Sequence, residues 1–237
     1  MSKPATPVTL LLDKLESVYG RQEPSWPVDP YHFLVWWHCG YPASDTTCSK
    51  GWASLTKSIG ITPEDILAAS PERLANTLKA GGMVPELRAL RLKEIAMRVK
   101  DQFDGDLLRS LSGSADQARK KLRKFPNIAD PGADRILLFA HIVPIAAVPS
   151  NCPHVLVRIL LGRERENYTV NYREAQGAIT SQTPATFDAR ARAYLLLKQH
   201  GQTICKRTNP KCDQCPVNAS CAFFSGKHRG RSAPSSP

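Results

Sequence analysis

Long hydrophobic runs are missing from this chain. No uninterrupted apolar stretch approaches the ~18 residues of a membrane span, and 42% hydrophobic against 22% charged residues is the balance of a globular protein. No membrane partner is expected. The first twenty residues hold only Leu10, Leu11 and Leu12 as a contiguous apolar block, too short for a secretory core and without a small-residue cleavage site. The expected location is the cytoplasm, with nucleoid association if the source is bacterial. Acidic residues are also in short supply: 21 Asp and Glu stand against 32 Lys and Arg, which leaves a net charge of +11. A surface field of that sign favours a polyanion, so nucleic acid is the first partner to test. Strand-like alternation is scarce and internal repeats are absent, which leaves helical periodicity as the organising signal.

What is present fits an all-α protein. At 237 residues the chain is long enough for one to two domains of ~150 residues, with a hydrophobic core. A first helix is expected over residues 9–18, stopped by Gly20. A proline-rich link at residues 23–27 leads to the aromatic segment 31–37. Pro63-Glu64-Asp65 and Pro71-Glu72 read as first turns of helices running to Ala68 and about Lys79. Gly81-Gly82 breaks the chain before a half-buried helix with Leu87, Leu90, Leu92, Ile95, Ala96 and Val99 on its apolar face. Residues 226–237 read as a disordered basic tail.

Seven cysteines in a reducing compartment point to metal ligation or buried thiols, not a disulfide scaffold. Four of them fall in one loop, Cys205-x6-Cys212-x2-Cys215-x5-Cys221. Four thiolates this close can wrap one centre, and Asn209-Pro210 and Cys215-Pro216 favour tight turns. A [4Fe-4S] cluster is the preferred occupant. Zinc is the alternative, although four-cysteine zinc sites usually pair two short knuckles across a spacer and only one knuckle occurs here. Cys39, Cys48 and Cys152 lie far off in sequence and are read as buried thiols.

The cysteine loop resembles that of endonuclease III and its relatives, the helix-hairpin-helix DNA glycosylases, as does the helix Ala193-Tyr194-Leu195-Leu196-Leu197-Lys198-Gln199-His200-Gly201 before it. The likeness spans residues 31–224 or so. It implies a two-lobed all-α fold, with a helical barrel over residues 30–145 and a cluster lobe made of 1–29 and 146–225. It also implies a monomer that binds double-stranded DNA and cleaves the N-glycosidic bond of a flipped, damaged base. A non-catalytic DNA-binding protein on the same scaffold is the alternative.

Phe125-Pro126-Asn127-Ile128-Ala129 stands where the family writes Leu-Pro-Gly-x-Gly, a hairpin whose amides hold a DNA phosphate. Asp130 is expected to cap the following helix, which runs to about Val143 with Pro131 at its first position. The resemblance assigns DNA contacts to Asn127, Ile128 and Ala129, and the basic residues Lys121 and Lys124 beside them and Lys206, Arg207 and Lys211 in the cysteine loop are expected to meet phosphates. Met83 would be a wedge entering the duplex and Tyr41 a base-stacking ring, each with packing in the core as the alternative. The family's catalytic lysine and aspartate positions fall at Pro131 and Pro149, so neither an amine nor a carboxylate is present there. Asp130 and Asp134 are the nearest carboxylates, with an N-cap and a surface residue as their plain readings.

Overall fold

The structure is a computed structural model that describes residues 7–231, the side chains of 227–231 excepted. Among the described residues it consists of α-helices, short 3₁₀ turns and loops, with no β-strand, as the sequence pattern required. No helix among them is long and apolar enough to cross a membrane. The chain divides into two units, one formed by Pro24–Ile142 and the other by the residues before and after it. These changes of unit come at 24 and 143, where the sequence placed them at 30 and 146.

The outer unit contains α1 (Val8–Tyr19), and the Pro24–Ile142 unit follows with α2 (Pro30–His38), α3 (Asp45–Ser58), α4 (Pro63–Ala68) and α5 (Pro71–Leu78). It continues through α6 (Pro85–Phe103), α7 (Leu107–Ser110), α8 (Ala115–Leu122) and α9 (Asp130–Phe139). The chain then returns to the outer unit with α10 (His154–Leu161), α11 (Tyr168–Gln182), α12 (Phe187–Thr203) and α13 (Ala222–Arg231). Short polar side chains start these helices by accepting from first-turn amides: Asp29 for α2, Ser44 for α3, Ser70 for α5 and Thr186 for α12. Thr62 with Asp65 and Ser114 with Gln117 form reciprocal capping boxes on α4 and α8. Proline occupies the first turn of α2, α4, α5 and α6, where a missing N–H costs nothing.

Two expectations about helix ends are corrected. Ala129, not Asp130, is the N-cap of α9, and Asp130 is already helical. The helix stops at Phe139 instead of near 143 because His141 turns left-handed, φ 56°. The Ile142 amide then reaches the Leu137 carbonyl at 3.0 Å, and the His141 amide the Leu138 carbonyl at 3.2 Å. This is a Schellman closure without the glycine that would have announced it. The expected tail is also revised: α13 runs to Arg231, and residues 232–237 lie outside the described residues.

Each unit has its own core. In the Pro24–Ile142 unit Leu34, Trp36, Leu55, Leu74, Leu92, Val99, Leu122 and Leu137 are buried. In the outer unit α1 contributes Val8, Leu11, Leu12 and Leu15 to a cluster with Val155, Tyr172, Ile179, Leu196 and Val217. Each such burial is worth about 1.5–3 kcal/mol against the exposed side chain. Arg192 on α12 ties α1 down through Asp13 at 2.8 Å and Glu16 at 2.8 Å.

One turn in the Pro24–Ile142 unit is held by a single buried cation. Arg88, fully buried on α6, donates to the carbonyls of Met83 at 2.9 Å, Leu78 at 3.0 Å, Gly82 at 2.6 Å and Cys39. The approach is so close that a Cβ on Gly81 would stand 1.7 Å from the Cys39 carbonyl oxygen. Gly82 then takes φ 93°, open to glycine and costly for other residues. These two positions explain the Gly81-Gly82 break.

Candidate cluster loop and nucleic-acid interface

The cysteine loop grows out of the end of α12. The amides of Ile204 and Cys205 both donate to the His200 carbonyl, at 2.9 and 2.8 Å, and the Lys211 amide closes the base of the loop on Ile204 at 3.0 Å. Asn209 supplies the left-handed residue of the turn, φ 51°, ahead of Pro210. Two 3₁₀ turns, Cys212–Gln214 and Asn218–Ser220, bring the remaining cysteines round. As a result Cys205, Cys212, Cys215 and Cys221 line one small pocket, with Ile159, Ile204, Pro210, Phe223 and Phe224. All seven cysteines are free thiols, and Cys39, Cys48 and Cys152 are buried.

The chemistry of this donor set can be tested from the structure. Burial raises the pKa of Cys205, Cys215 and Cys221, Cys215 to about 11, and each neighbouring sulfur opposes a further negative charge. A cationic centre placed among them would favour the thiolate form of these three. Among the described residues, no three Cys, His, Asp or Glu side chains converge closely enough for one ion. Four sulfurs on a single zinc would stand roughly 3.8 Å apart at the usual Zn–S length. The side chains as placed form no such tetrahedral ring, while all four cysteines line one pocket.

Buried polar groups surround the ring. Arg158 donates to the carbonyls of Lys206 at 2.8 Å and Arg207 at 2.9 Å, and its Nη1 lies 3.9 Å from Cys205 Sγ. The Cys205 carbonyl sits 2.7 Å from His154 Nε2. His200 is fully buried, with Nδ1 2.7 Å from the Tyr19 hydroxyl and Nε2 3.6 Å from Cys215 Sγ. Lys206, Arg207 and Lys211 are exposed on the outside of the loop, Arg207 lying 3.6 Å from Glu164.

The second candidate region is the hairpin at residues 123–129. Phe125 and Ile128 are buried and anchor it, while Asn127 and Ala129 are exposed. Asn127 takes φ 56°, the left-handed conformation for which the related pattern uses glycine and which asparagine tolerates. Its side-chain amide lies 3.5 Å from His38 Nε2. His38 is buried with Nδ1 2.8 Å from the Leu34 carbonyl, which requires the ring proton on Nδ1 and leaves Nε2 to accept from Asn127. Burial, with the charge of Arg91 adding to it, lowers the His38 pKa to about 4, so the ring is neutral at physiological pH. Ala129 offers no side-chain cap to the first amides of α9, those of Asp130 and Gly132, since Pro131 has none. Asp130 pairs with Arg123 at 3.2 Å instead of folding back over them.

The sequence-derived site residues are only partly brought together. Lys124 is exposed next to the hairpin, but the Lys121 ammonium donates to the Ser110 carbonyl and is half-buried. Asp134 is not a surface residue: it is 1% exposed and bonded to Arg119 Nε at 2.6 Å, a structural ion pair between α8 and α9. Pro131 stands in the first turn of α9, and Pro149 is buried in the connection before α10. Tyr41 stacks on Trp37 with ring centroids 4.7 Å apart. Met83 is 78% exposed at the tip of the turn that Arg88 holds, next to Val84 at φ 50°. Reading the sequence missed His38, Arg88, Arg158 and His200, each with at least one partner 48 or more residues away that leaves no local spacing to find.

No family model matches this chain. Among characterised proteins it is 23% identical to endonuclease III of Thermotoga maritima over 202 residues, 85% of this chain and 87% of that protein. It is also 23% identical to endonuclease III of Bacillus subtilis over 159 residues, 67% and 66% of the two chains. Among solved structures, endonuclease III in a non-covalent complex with DNA superposes with a TM-score of 0.73 at 18% identity, covering 94% of this chain and 97% of the other. A thermostable thymine-DNA glycosylase gives 0.72 at 20% identity, covering 92% and 97%.

Proposed function

We propose that this chain, built on the fold of the endonuclease III group of helix-hairpin-helix DNA glycosylases, is a base-excision-repair enzyme. It acts as a monomer in the cytoplasm, holds double-stranded DNA and cleaves the N-glycosidic bond of a damaged base turned out of the duplex. The observation that carries this reading is the hairpin: Asn127 keeps the left-handed turn, and α9 begins without a side-chain cap. Open amides at a helix start suit a phosphate, and exposed Lys124, Lys206, Arg207 and Lys211 add charge of the right sign. The exposure of Met83 supports its reading as an apolar wedge for the duplex.

Cys205, Cys212, Cys215 and Cys221 would hold a [4Fe-4S] cluster, and the donor set fits that group. When bound, it supplies a cationic centre that neutralises four thiolates and closes the loop. The bond-breaking chemistry falls to this chain's own side chains. Pro131 has no amine, so no Schiff base with the sugar forms at that position, and Pro149 has no carboxylate to oppose the charge that develops on the sugar. Excision is therefore monofunctional and slow.

The test is single-turnover excision over deaminated, oxidised and alkylated bases in duplex DNA, with wild type beside Pro149→Asp. The expected result is salt-sensitive duplex binding, no borohydride-trapped adduct, and an excision rate on at least one substrate that rises in Pro149→Asp. Absence of duplex binding at low salt would overturn the reading. Binding without excision in either protein would leave a DNA-binding scaffold in place of an enzyme.

A further inference from the structure

The outer unit contains a partly buried polar relay that the proposed DNA chemistry does not use. Tyr19, the last residue of α1, places its hydroxyl 2.7 Å from His200 Nδ1, and the far nitrogen of the same ring stands 3.6 Å from Cys215 Sγ. The residues involved are 181 and 15 positions apart in sequence, so the fold alone assembles them. Tyr19 and His200 are tilted ring neighbours with centroids 6.0 Å apart, and His200 is fully buried.

The distances leave either Tyr19 Oη or His200 Nδ1 as the donor, and the sulfur beyond the ring decides between the tautomers once the loop is ligated. A tyrosine hydroxyl donating to Nδ1 leaves the proton on Nε2, facing the sulfur. A doubly protonated ring would present the same N–H to the sulfur. The remaining arrangement, with Nδ1 protonated, would set the Nε2 lone pair against Cys215; that is tolerable for a thiol that donates a proton and repulsive for a thiolate. In the ligated loop, then, Nε2–H donates to Cys215 in every favourable arrangement.

We infer that His200 is a positioning and tuning residue for the cysteine-bound centre, its Nε2–H aimed at the Cys215 thiolate and its tautomer held by Tyr19. This rests on the proposed [4Fe-4S] assignment. Hydrogen bonds to ligating sulfur withdraw negative charge and favour the more reduced centre, and the group that orients the donor matters as much as the donor itself. Because Tyr19 ends α1, the relay also links the first helix of the chain to the last ligand loop through polar bonds in addition to apolar packing.

The experiment uses the full chain prepared anaerobically as wild type, Tyr19→Phe, His200→Gln and His200→Leu. Iron and sulfide content, the Fe–S(Cys) stretching frequencies in resonance Raman spectra, and the midpoint potential are read for each. The expected result is a full cluster in every variant. The potential moves negative in His200→Leu, less so in Tyr19→Phe, and returns toward wild type in His200→Gln, whose amide is again a donor. Unchanged potentials and Raman frequencies in loaded Tyr19→Phe and His200→Leu would overturn the relay while leaving the cluster assignment standing. Wild-type protein without iron and sulfide would overturn the cluster assignment itself. If His200→Leu fails to fold, the isosteric Tyr19→Phe decides the matter.

Discussion

The cysteine loop and the hairpin turn through the same local device, a left-handed asparagine next to a proline: Asn209 before Pro210 in one, Asn127 after Pro126 in the other. They differ in what holds them shut. The hairpin is closed from inside by Phe125 and Ile128, 2% and 6% exposed, and by the contact of Asn127 with His38. The loop turns thiols inward onto a cavity, and its polar grip comes from Arg158 and His154 reaching its carbonyls. One connection carries its own folding energy. The other, if it holds the proposed cluster, draws its folding energy from that ligand, so two turns with similar backbones would respond to different perturbations.

The largest expected effect separates them at once. Changing Cys212 to Ala should abolish iron and sulfide incorporation and leave the segment after α12 sensitive to protease, because a structural centre is folding energy. Hairpin function, read as salt-dependent duplex binding by any soluble fraction, should be affected far less. The converse change, Ile128→Ala, should cost about 2–5 kcal/mol in a denaturant titration without altering the absorbance of the bound cluster.

A smaller effect follows from pH. His38 has a folded pKa of about 4, below the ordinary value of 6.5, so the unfolded chain binds its proton first as pH falls. The stability that depends on the neutral ring is therefore complete above pH 6.5 and is lost as pH drops from there to about 4, a total of roughly 3 kcal/mol. Comparing the pH profile with that of His38→Gln isolates this contribution, and equal profiles would show that the ring is not held neutral.

The smallest effect concerns the turn itself. Asn127→Gly should change stability by less than about 0.5 kcal/mol, because relief of the left-handed strain is offset by a more flexible unfolded chain. Asn127→Val should cost about 1–2 kcal/mol, since a β-branched residue is poorly accommodated there. Equal stability of the two variants would mean that the turn relaxes to another conformation.

What the sequence disclosed was local. The caps and first-turn prolines of α4 and α5 placed their ends at Ala68 and Leu78, within a residue of expectation, because a cap and its amide lie three positions apart. The cysteine spacing was legible for the same reason. Where the decisive partner was remote, the reading failed. Asp134 looked like a surface carboxylate because nothing near it announces Arg119 fifteen positions earlier. His200 was a letter in an apolar helix until Tyr19 met it, and His38 gave no sign of reaching position 127. The end of α9 was misplaced because a histidine took the conformation usually given to glycine.

Arg88 has a consequence for how the molecule can vary. All four of its bonds go to main-chain oxygens, so its grip depends on the path of the backbone and is blind to the side chain at the tip. Support and tip are separate parts. Residue 83 can be exchanged for a longer, shorter or more polar one without loosening the socket that holds it, whereas Gly81, pressed against the Cys39 carbonyl, cannot. A turn made this way behaves like a chuck with interchangeable bits: the machinery that aims the point is conserved by geometry, and the point is free to adapt to whatever it is pressed against.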